Sequence, residues 1–524
     1  MQSWFTFELD GETCRIERVP VNRSLADHLV ALDPVFASMG SQRESRLVVL
    51  GELEQDRHSF RVIDAASILL PMVAGRQIWT PLGIARAEPE HPVNLALQRD
   101  HLESGQNRLD AVRALLFEGY YRPDLRRQGQ VMDQFDAIGT RTAHVPAIWE
   151  TAAQVFASTA QLRHEAAQRA EKSGRESTVW MGRTDIFEDL FTKRLFKLAR
   201  RNSMVYADAE KRRFYRPESV VELLKLRREY PEARLVAGGV EGKFHEGAMG
   251  SANFISLENL GELTQVITTE ESWEIGAAMP LTRVSEVIGR ECPAFPKMLR
   301  RCATRPWRNR ATLGGHLAHC RSDSVLMPLL LALNARVMLL SEEGERDAPL
   351  SQLFNDQGET IRKQREVIRS IVIPRSGEGA LSNLGLTARL LDAYTVAPNR
   401  GARSSFLTAA FSIELRDRSI VKARLAYAGL SEVPHRLAAV ESELAGKVWS
   451  EEVFFECLPK VHQAAEVSVP SLTEAELTYR RQLAVTLFQK FHSQHPSADA
   501  RSPRQLSSAV EFGKLQQPFF DALS

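Results

Sequence analysis

The chain has 524 residues, with 67 lysines and arginines against 66 aspartates and glutamates, so its formal net charge is +1. This length exceeds what one hydrophobic core usually serves, and three or four domains are expected. The balanced charge excludes the strongly basic character that is typical of proteins binding nucleic acid or anionic membranes.

The sequence also lacks the segments that would place it in or across a membrane. Its longest apolar run, residues 325–333, is interrupted by Pro328 and is much shorter than a span of about 20 residues. The first residues show no basic segment followed by an apolar one, so we expect no export signal.

The five cysteines are scattered without C-x-x-C spacing. We therefore predict a soluble protein of the reducing cytoplasm, with no nucleic-acid or membrane partner.

Residues 1–88 carry the pattern of a small mixed sheet. Apolar and polar residues alternate on both sides of Asp10-Gly11, the dipeptide that best accepts the positive φ angles of a tight hairpin turn. A short helix capped by Ser24 follows, and residues 46–50 and 59–63 are predicted strands. The order of hairpin, helix and strands predicts a β-grasp domain.

Residues 89–160 predict a small helical unit, with helical periodicity from Pro92 to Leu116 and a further helix from Pro146. Between 161 and 212 the composition shifts to charged and small residues, which predicts an exposed linker.

Within this linker, apolar residues recur at three- and four-residue steps opposite basic ones, which describes a basic amphipathic helix between Phe187 and Arg201. Three interpretations are open. The helix packs on the chain's own domains, docks a partner through Phe191 and Leu195, or lies on a membrane surface.

The second half alternates strands and helices. We place an α/β domain at 213–385, an α+β domain at 386–493 and a Ser-, Pro- and Gln-rich tail at 494–524. The predicted helices lie at 219–230, near 283–301, and at 324–334, 433–445, 450–463 and 473–491. A strand with its glycine turn is predicted at 234–239, and further strands at 254–257, 273–278, 367–374, 405–415 and 420–429.

Two glycine pairs are the candidate cofactor-binding motifs of this half. The first, in Leu235-Val236-Ala237-Gly238-Gly239-Val240-Glu241, turns an apolar run sharply and can offer consecutive backbone N–H groups to a diphosphate. The second, in Ala311-Thr312-Leu313-Gly314-Gly315-His316, follows a small hydroxyl residue and lets a backbone approach a large flat cofactor. Together they predict a flavin site.

In this order and spacing, the two segments resemble the FAD-binding subunits of the molybdenum hydroxylases, the family of xanthine dehydrogenase and CO dehydrogenase medium subunits. Residues 214–217, 274–282 and 405–491 are similar to further parts of that family's flavin domains. The resemblance implies an α+β multidomain fold with a β-grasp ferredoxin-like domain, a small helical domain, a PCMH-type α/β FAD domain and an α+β C-terminal flavin subdomain.

The resemblance also implies which residues bind the cofactor, with the first segment on the FAD diphosphate and the second on the ribityl chain and isoalloxazine ring. The predicted FAD-binding residues are Leu235, Val236, Ala237, Gly238, Gly239, Val240, Glu241, Ala311, Thr312, Gly314, Gly315 and His316. No catalytic side chain and no metal ligand is assigned.

The chain departs from the family's motifs at several positions. Val240 stands where the family usually has a threonine hydroxyl, and His316 replaces the usual asparagine. The expected aspartate falls on Val325, and a later element at 397–406 lacks its lysine and acid. Each loss removes about 1 kcal/mol of net hydrogen bonding. An alternative therefore stays open, in which the glycines only make tight turns in an inherited fold.

The N-terminal half resembles the two-cluster iron–sulfur region of xanthine dehydrogenase small subunits, and residues 90–97 resemble the segment that opens its second cluster domain. Each [2Fe–2S] centre needs four thiolates or near substitutes. Residues 1–160 contain a single cysteine, Cys14, and none lies in the loops at 37–45, 104–108 and 139–144. We predict that this half holds no iron–sulfur cluster.

His316, His319 and Cys320 stand at offsets of three and four, which on a helix would share a face and could bind zinc. The other interpretation is a turn and helix start in which His316 only takes the family's asparagine position.

The sequence thus predicts an FAD-binding electron-transfer subunit of a xanthine dehydrogenase-like oxidoreductase, without iron–sulfur clusters. Its expected partner is a molybdopterin-binding large subunit, with NAD as a possible electron acceptor. The alternative function is a non-catalytic scaffold or assembly subunit with the same fold and no cofactor. The substrate and the oligomeric state do not follow from the sequence.

Overall fold

The computed structural model describes the following residues: 2–41, 46–54, 57–99, 106–122, 125, 128–138, 146–157, 159, 187, 189–240, 253–319, 321–355, 358–375, 385–386, 388–398, 404–466, 469 and 472–496. Among these residues the strands form four sheets. The described helices include none with the length and apolar content needed to cross a bilayer.

The N-terminal sheet has the strand order β2-β1-β5-β3-β4, with β1 parallel to β5 and antiparallel to β2. Asp10 and Gly11 join β1 to β2 with φ angles of 52° and 88°, so the predicted hairpin turn is confirmed. Ser24 caps the helix Leu25–Leu32 by accepting a hydrogen bond from the Asp27 N–H. The strands are β1 (Trp4–Leu9), β2 (Glu12–Glu17), β3 (Leu47–Glu54), β4 (Arg57–Asp64) and β5 (Gln77–Trp79).

A helical unit packs on one face of this sheet. Its longest helix brings Phe117 and Tyr121 against Phe60 of β4, with ring centroids 5.2 and 4.9 Å apart. Sheet and helices therefore share one apolar core. The helices are Pro81–Ala87, Pro92–Arg99, Gln106–Tyr121, Gln128–Phe135 and 146–157.

The segment after residue 187, predicted as an exposed linker with a basic amphipathic helix, is instead part of this core. The helix Leu190–Leu195 buries Phe191 and Leu195 completely. The Phe191 ring lies 4.7 Å from that of Trp79 and 4.9 Å from that of Phe117. The docking interpretation is therefore wrong and the packing interpretation is correct.

Replacing Phe191 and Leu195 with Asp is expected to unfold the N-terminal half, because each carboxylate would lie in apolar surroundings. Large-to-small core changes alone cost about 3–5 kcal/mol for a phenylalanine, and an unpaired buried charge costs more. Thermal unfolding followed by circular dichroism tests this expectation. The matched control is Leu190→Asp on the same helix, where the side chain is already 38% exposed. A double variant that melts like the wild type would contradict the packing interpretation.

The central region, residues 204–375, contains two further sheets. One has the order β6-β7-β9-β8 and the other β10-β11-β14-β12-β13. The strands are β6 (Met204–Ala207), β7 (Arg213–Arg216), β8 (Arg234–Val236), β9 (Phe254–Ser256), β10 (Val266–Thr268), β11 (Ser272–Gly276), β12 (Arg336–Ser341), β13 (Gly344–Pro349) and β14 (Val367–Pro374). The helices are Val220–Glu229, Gly261–Thr264, Leu281–Ile288, Ala294–Leu299, Arg305–Arg308, Leu313–Ala318 and Met327–Ala332.

The C-terminal region, residues 385–496, is a four-stranded antiparallel sheet covered by helices. The two long predicted strands and three predicted helices of this region are present. The strands are β15 (Ala388–Val396), β16 (Leu407–Arg416), β17 (Ser419–Ala428) and β18 (His435–Arg436), and the helices are Ala438–Leu444, Glu451–Ala464 and Glu474–Gln494. The described part of the predicted tail, 494–496, only completes the last helix, and residues 497–524 lie outside the described ranges.

Buried hydrogen bonds and ion pairs join the N-terminal half to the central region. Arg308 donates to the Asp133 carboxylate at 2.6 Å, and both side chains are buried. Asn309 Nδ2 donates to the Val62 carbonyl at 2.8 Å, and Arg122 pairs with Glu286 at 2.7 Å. Apolar residues of both parts also lie in one core. The residues just before the second glycine pair thus hold two parts of the chain together.

Candidate functional site

The two glycine segments, distant in the sequence, meet at one cavity of about 460 Å³. Most predicted FAD-binding residues line it: Leu235, Ala237, Gly238, Gly239, Val240, Ala311, Thr312, Gly314, Gly315 and His316. Val236 does not. It is completely buried in the core shared with the N-terminal half, because alternate side chains of β8 point to opposite faces. Glu241 lies outside the described residues.

The first glycine pair makes a close turn after β8. A Cβ atom on Gly238 would lie 1.8 Å from the Arg310 carbonyl oxygen, so only glycine fits there. Gly239 has φ +78°, and a Cβ on it would lie 3.0 Å from Met72 Sδ of the N-terminal half. Gly238 therefore serves the packing of the two glycine segments on each other, which the sequence did not reveal.

The backbone of this turn also has unused donors. The N–H groups of Gly238, Gly239 and Val240 make no hydrogen bond with another described residue, and all three residues line the cavity. Consecutive N–H groups of this kind bind anionic oxygens without a lysine. The turn can therefore hold a diphosphate even though Val240 lacks a hydroxyl.

The second glycine segment, unlike the first, has its backbone N–H groups in hydrogen bonds with described residues. The Thr312 hydroxyl caps the helix Leu313–Ala318 by accepting from the Gly315 N–H at 3.1 Å. The Gly314 N–H donates to the Ala277 carbonyl at 2.8 Å, and a Cβ on Gly314 would lie 2.5 Å from Ala277 Cβ. A Cβ on Gly315 would meet only Thr312 Oγ1 within 4 Å. Gly314 thus serves packing, and Gly315 keeps space open in the cavity.

His316 is a neutral hydrogen-bonding group rather than a cation. Burial, together with repulsion from the neighbouring His319 and Arg321, lowers the pKa of His316 to about 4. Its Nε2 lies 2.7 Å from the Ser324 hydroxyl, while His319 Nδ1 lies 2.9 Å from the Gly315 carbonyl. Cys320 falls outside the described residues, and those that are described contain no group of three metal-ligating side chains.

Charged residues that the sequence did not single out complete the cavity. Among the described residues, its lining includes one carboxylate, that of Glu232, and four arginines: Arg227, Arg234, Arg321 and Arg362. Arg227 lies on the helix Val220–Glu229, Arg234 begins β8, and Arg321 and Arg362 lie in loops; no local signal pointed to their side chains. Apolar lining comes from Leu257, Ala277, Trp307 and Ile368. A cationic wall beside an apolar one suits an anionic ligand with a flat ring.

A second cavity of about 540 Å³ lies on the other side of Gly238 and Thr312, against the N-terminal half. Glu258 accepts there from Arg76 at 3.2 Å, Arg201 at 2.9 Å and Arg310 at 2.8 Å. Burial alone would raise the pKa of Glu258, but these three guanidinium groups hold it well below its usual range. Because these arginines already share a carboxylate, the first cavity is the better candidate for an anionic ligand.

Comparison with known proteins gives matches over the second half of the chain. Residues 209–376 match the FAD binding domain in molybdopterin dehydrogenase, and residues 392–495 match the CO dehydrogenase flavoprotein C-terminal domain. The chain is 28% identical to aldehyde oxidase 2 of Mus musculus over 59% of this chain, and 27% identical to xanthine dehydrogenase/oxidase of Gallus gallus over 56%. The matched part spans 24% and 22% of those two relatives.

Solved structures give corresponding matches. Quinoline 2-oxidoreductase from Pseudomonas putida 86 matches with 23% identity and a TM-score of 0.45, covering 53% of this chain and 94% of that one. Reconstituted CO dehydrogenase from Oligotropha carboxidovorans matches with 17% identity and a TM-score of 0.47, covering 55% and 98%. The two domain matches span residues 209–495 with one short gap. The chain therefore belongs to the family of FAD-binding subunits of the molybdenum hydroxylases.

Proposed function

We propose that this chain binds FAD in the cavity between its two glycine segments and transfers electrons as a subunit of a molybdenum-hydroxylase-like oxidoreductase. The observation that carries the proposal is the turn at Gly238, Gly239 and Val240: these residues line the cavity, and their N–H groups make no hydrogen bond with another described residue. A diphosphate supplies the acceptors that this turn lacks. The domain matches support the same assignment.

The residues present fit the cofactor in charge and shape. The glycine turn would hold the diphosphate, and the arginine-rich wall would balance its negative charge. Apolar lining and the open space beside Gly315 would accept the ring. When bound, the isoalloxazine supplies the redox chemistry, and the protein supplies its position and electrostatic surroundings. Neutral His316 offers a hydrogen bond rather than a charge.

The test is flavin uptake by the purified protein. With adequate riboflavin during expression, we expect a yellow protein with stoichiometric FAD. Protein purified without flavin should be stabilised on adding FAD, by about 2.7 kcal/mol at 100 times the dissociation constant. A colourless protein with no thermal shift in excess FAD would reject flavin binding. It would favour the scaffold function instead, because packing contacts require one glycine of each pair, Gly238 and Gly314, without a ligand.

We also propose that the N-terminal half holds no iron–sulfur cluster. Cys14 is its one cysteine before residue 160, and a [2Fe–2S] centre needs four thiolates or close substitutes. After anaerobic purification, iron and sulfide assays are expected to return background values. Stoichiometric iron together with sulfide would contradict this prediction.

The remaining functional assignments follow from this role. An electron-transfer subunit needs a partner that activates the substrate, and we propose a molybdopterin-binding large subunit, to be tested by co-purification. The comparisons do not support NAD as the acceptor, and we assign none. A cytoplasmic location is proposed because the four described cysteines are free thiols.

A further inference from the structure

His316 reaches the cavity from a hydrogen-bonded turn of the second glycine segment. It lies in the helix Leu313–Ala318, directly after Gly315, and both residues line the cavity. Its backbone N–H donates to the Thr312 carbonyl at 2.9 Å, within the same turn. The His316 side chain is therefore held beside the open space where the flavin ring is proposed to lie.

A buried hydroxyl contacts one nitrogen of the His316 ring. Nε2 lies 2.7 Å from the Oγ of Ser324, a residue that is 2% exposed. The same Oγ accepts a hydrogen bond from the Met327 N–H at 3.1 Å. These are the two hydrogen bonds that the Ser324 hydroxyl makes among the described residues.

The two contacts determine which nitrogen of His316 carries the proton. A buried hydroxyl needs an acceptor for its hydrogen, and the Met327 N–H is itself a donor. Within the described part of the chain, this leaves Nε2 of His316 as the acceptor for Ser324. Nε2 must therefore be unprotonated. Because a neutral imidazole has one N–H group, His316 carries it on Nδ1.

The Nδ1–H group of His316 is available to a ligand. Nδ1 makes no hydrogen bond with another described residue, and the atom is accessible rather than enclosed by protein. Since His316 lines the cavity, this accessible nitrogen is open to it. The Nδ1 of His319, by contrast, lies 2.9 Å from the Gly315 carbonyl and is used within the protein.

The position of His316 relative to the two glycine segments indicates its acceptor. The turn at 238–240, to which the diphosphate is assigned, packs against the start of the second segment, since a Cβ on Gly238 would lie 1.8 Å from the Arg310 oxygen. His316 lies further along, in the helix beside the space at Gly315. Resting on the proposed FAD function, we propose that His316 donates its Nδ1–H to a neutral acceptor on the ring or ribityl chain. Ser324 is the positioning residue that selects this tautomer.

Nitrogen-15 NMR of the flavin-free full-length chain, labelled on histidine, tests the tautomer without a ligand. At neutral pH the His316 ring is expected to show a protonated Nδ1 and an unprotonated Nε2, its signals being assigned by their loss in His316→Phe. Ser324→Ala should raise the share of the Nε2–H tautomer, because it removes the donor that keeps Nε2 unprotonated. A wild-type His316 ring with its proton on Nε2 would overturn the inference.

Calorimetric titration of FAD, riboflavin and ADP tests the contact itself. His316→Phe keeps an aromatic ring but removes the N–H group, so the affinities for FAD and riboflavin are expected to fall by the same factor. That factor is about 3- to 10-fold, as for the loss of one neutral hydrogen bond. ADP, which lacks the ring and the ribityl chain, should bind both proteins equally. His316→Asn supplies an amide N–H donor and should retain more of the riboflavin affinity.

The matched control is a second serine–histidine pair, outside the cavity. His435 Nδ1 lies 2.9 Å from the Ser431 hydroxyl, and neither residue lines the cavity. His435→Phe and Ser431→Ala should bind all three ligands like the wild type. Circular dichroism checks that each variant is folded. If His316→Phe does not fold, Ser324→Ala replaces it and should weaken riboflavin binding while leaving ADP binding unchanged.

The outcomes separate this inference from the proposed function. If the wild type binds FAD and a folded His316→Phe variant binds riboflavin equally well, the inference is wrong and the flavin function stands. An equal loss for ADP would also overturn it, since the effect would then not belong to the riboflavin half. If the wild type binds neither FAD nor riboflavin, the flavin function and the proposed contact are both rejected, while the NMR spectrum still decides the tautomer.

Discussion

Gly315→Val is expected to abolish FAD uptake while leaving the chain folded. A Cβ at this position meets only Thr312 Oγ1, at 2.9 Å, so the added methyl groups would occupy cavity space where the ring is proposed to lie. Disturbing the Thr312 cap should cost about 1 kcal/mol of stability. Loss of shape complementarity should lower FAD affinity at least about 100-fold, equivalent to roughly 2.7 kcal/mol.

The measurements are FAD content after expression and the affinity of flavin-free protein. Gly315→Ala should give an intermediate affinity, because it adds one methyl group. Gly261→Val is the matched control: this glycine also lies in a short helix, has nothing within 4 Å of an added Cβ, and is not part of this cavity. Wild-type FAD affinity in a folded Gly315→Val variant would place the flavin elsewhere.

Local patterns were sufficient to predict most elements and the two halves of the site. Asp10-Gly11 favours a hairpin turn in any context, and apolar periodicity revealed the long C-terminal helices. The two glycine segments could be assigned to one site through the family resemblance. What the sequence could not show is that Gly238 and Gly314 are required by backbone contacts with Arg310 and Ala277.

The errors concern residues whose role depends on distant partners. The basic segment after residue 187 has the composition of an exposed linker, yet Arg194 donates to the Gly11 carbonyl and Arg201 pairs with Glu258. Charge in a sequence does not reveal whether a carboxylate or carbonyl from another domain satisfies it. Arg227 was missed for the same reason, since its three acceptors include the carbonyl of Gln364, 137 positions away.

The buried polar contacts give the N-terminal half a structural role that does not depend on iron. Asp133 of the helical unit pairs with Arg308 of the central region, and Glu118 pairs with Arg305. Met72 packs against the turn at Gly239. Loss of the N-terminal half would thus expose charged and apolar surface beside the proposed flavin cavity.

The strongest test of this role is the ion pair between the two halves. Asp133→Ala would leave the Arg308 guanidinium, 2% exposed, with only the carbonyls of Leu299 and Ala303 as partners within 3 Å. Removing one partner of a buried pair costs about 3–5 kcal/mol, so the first transition in urea unfolding should move to clearly lower urea. The exposed pair Arg336–Asp347 is the control, and Asp347→Ala should cost at most about 1 kcal/mol. Replacing both buried partners, with Asp133→Leu and Arg308→Met, should recover much of the stability. If Asp133→Ala costs no more than the exposed control, the N-terminal half is not held by this contact and its proposed structural role is wrong.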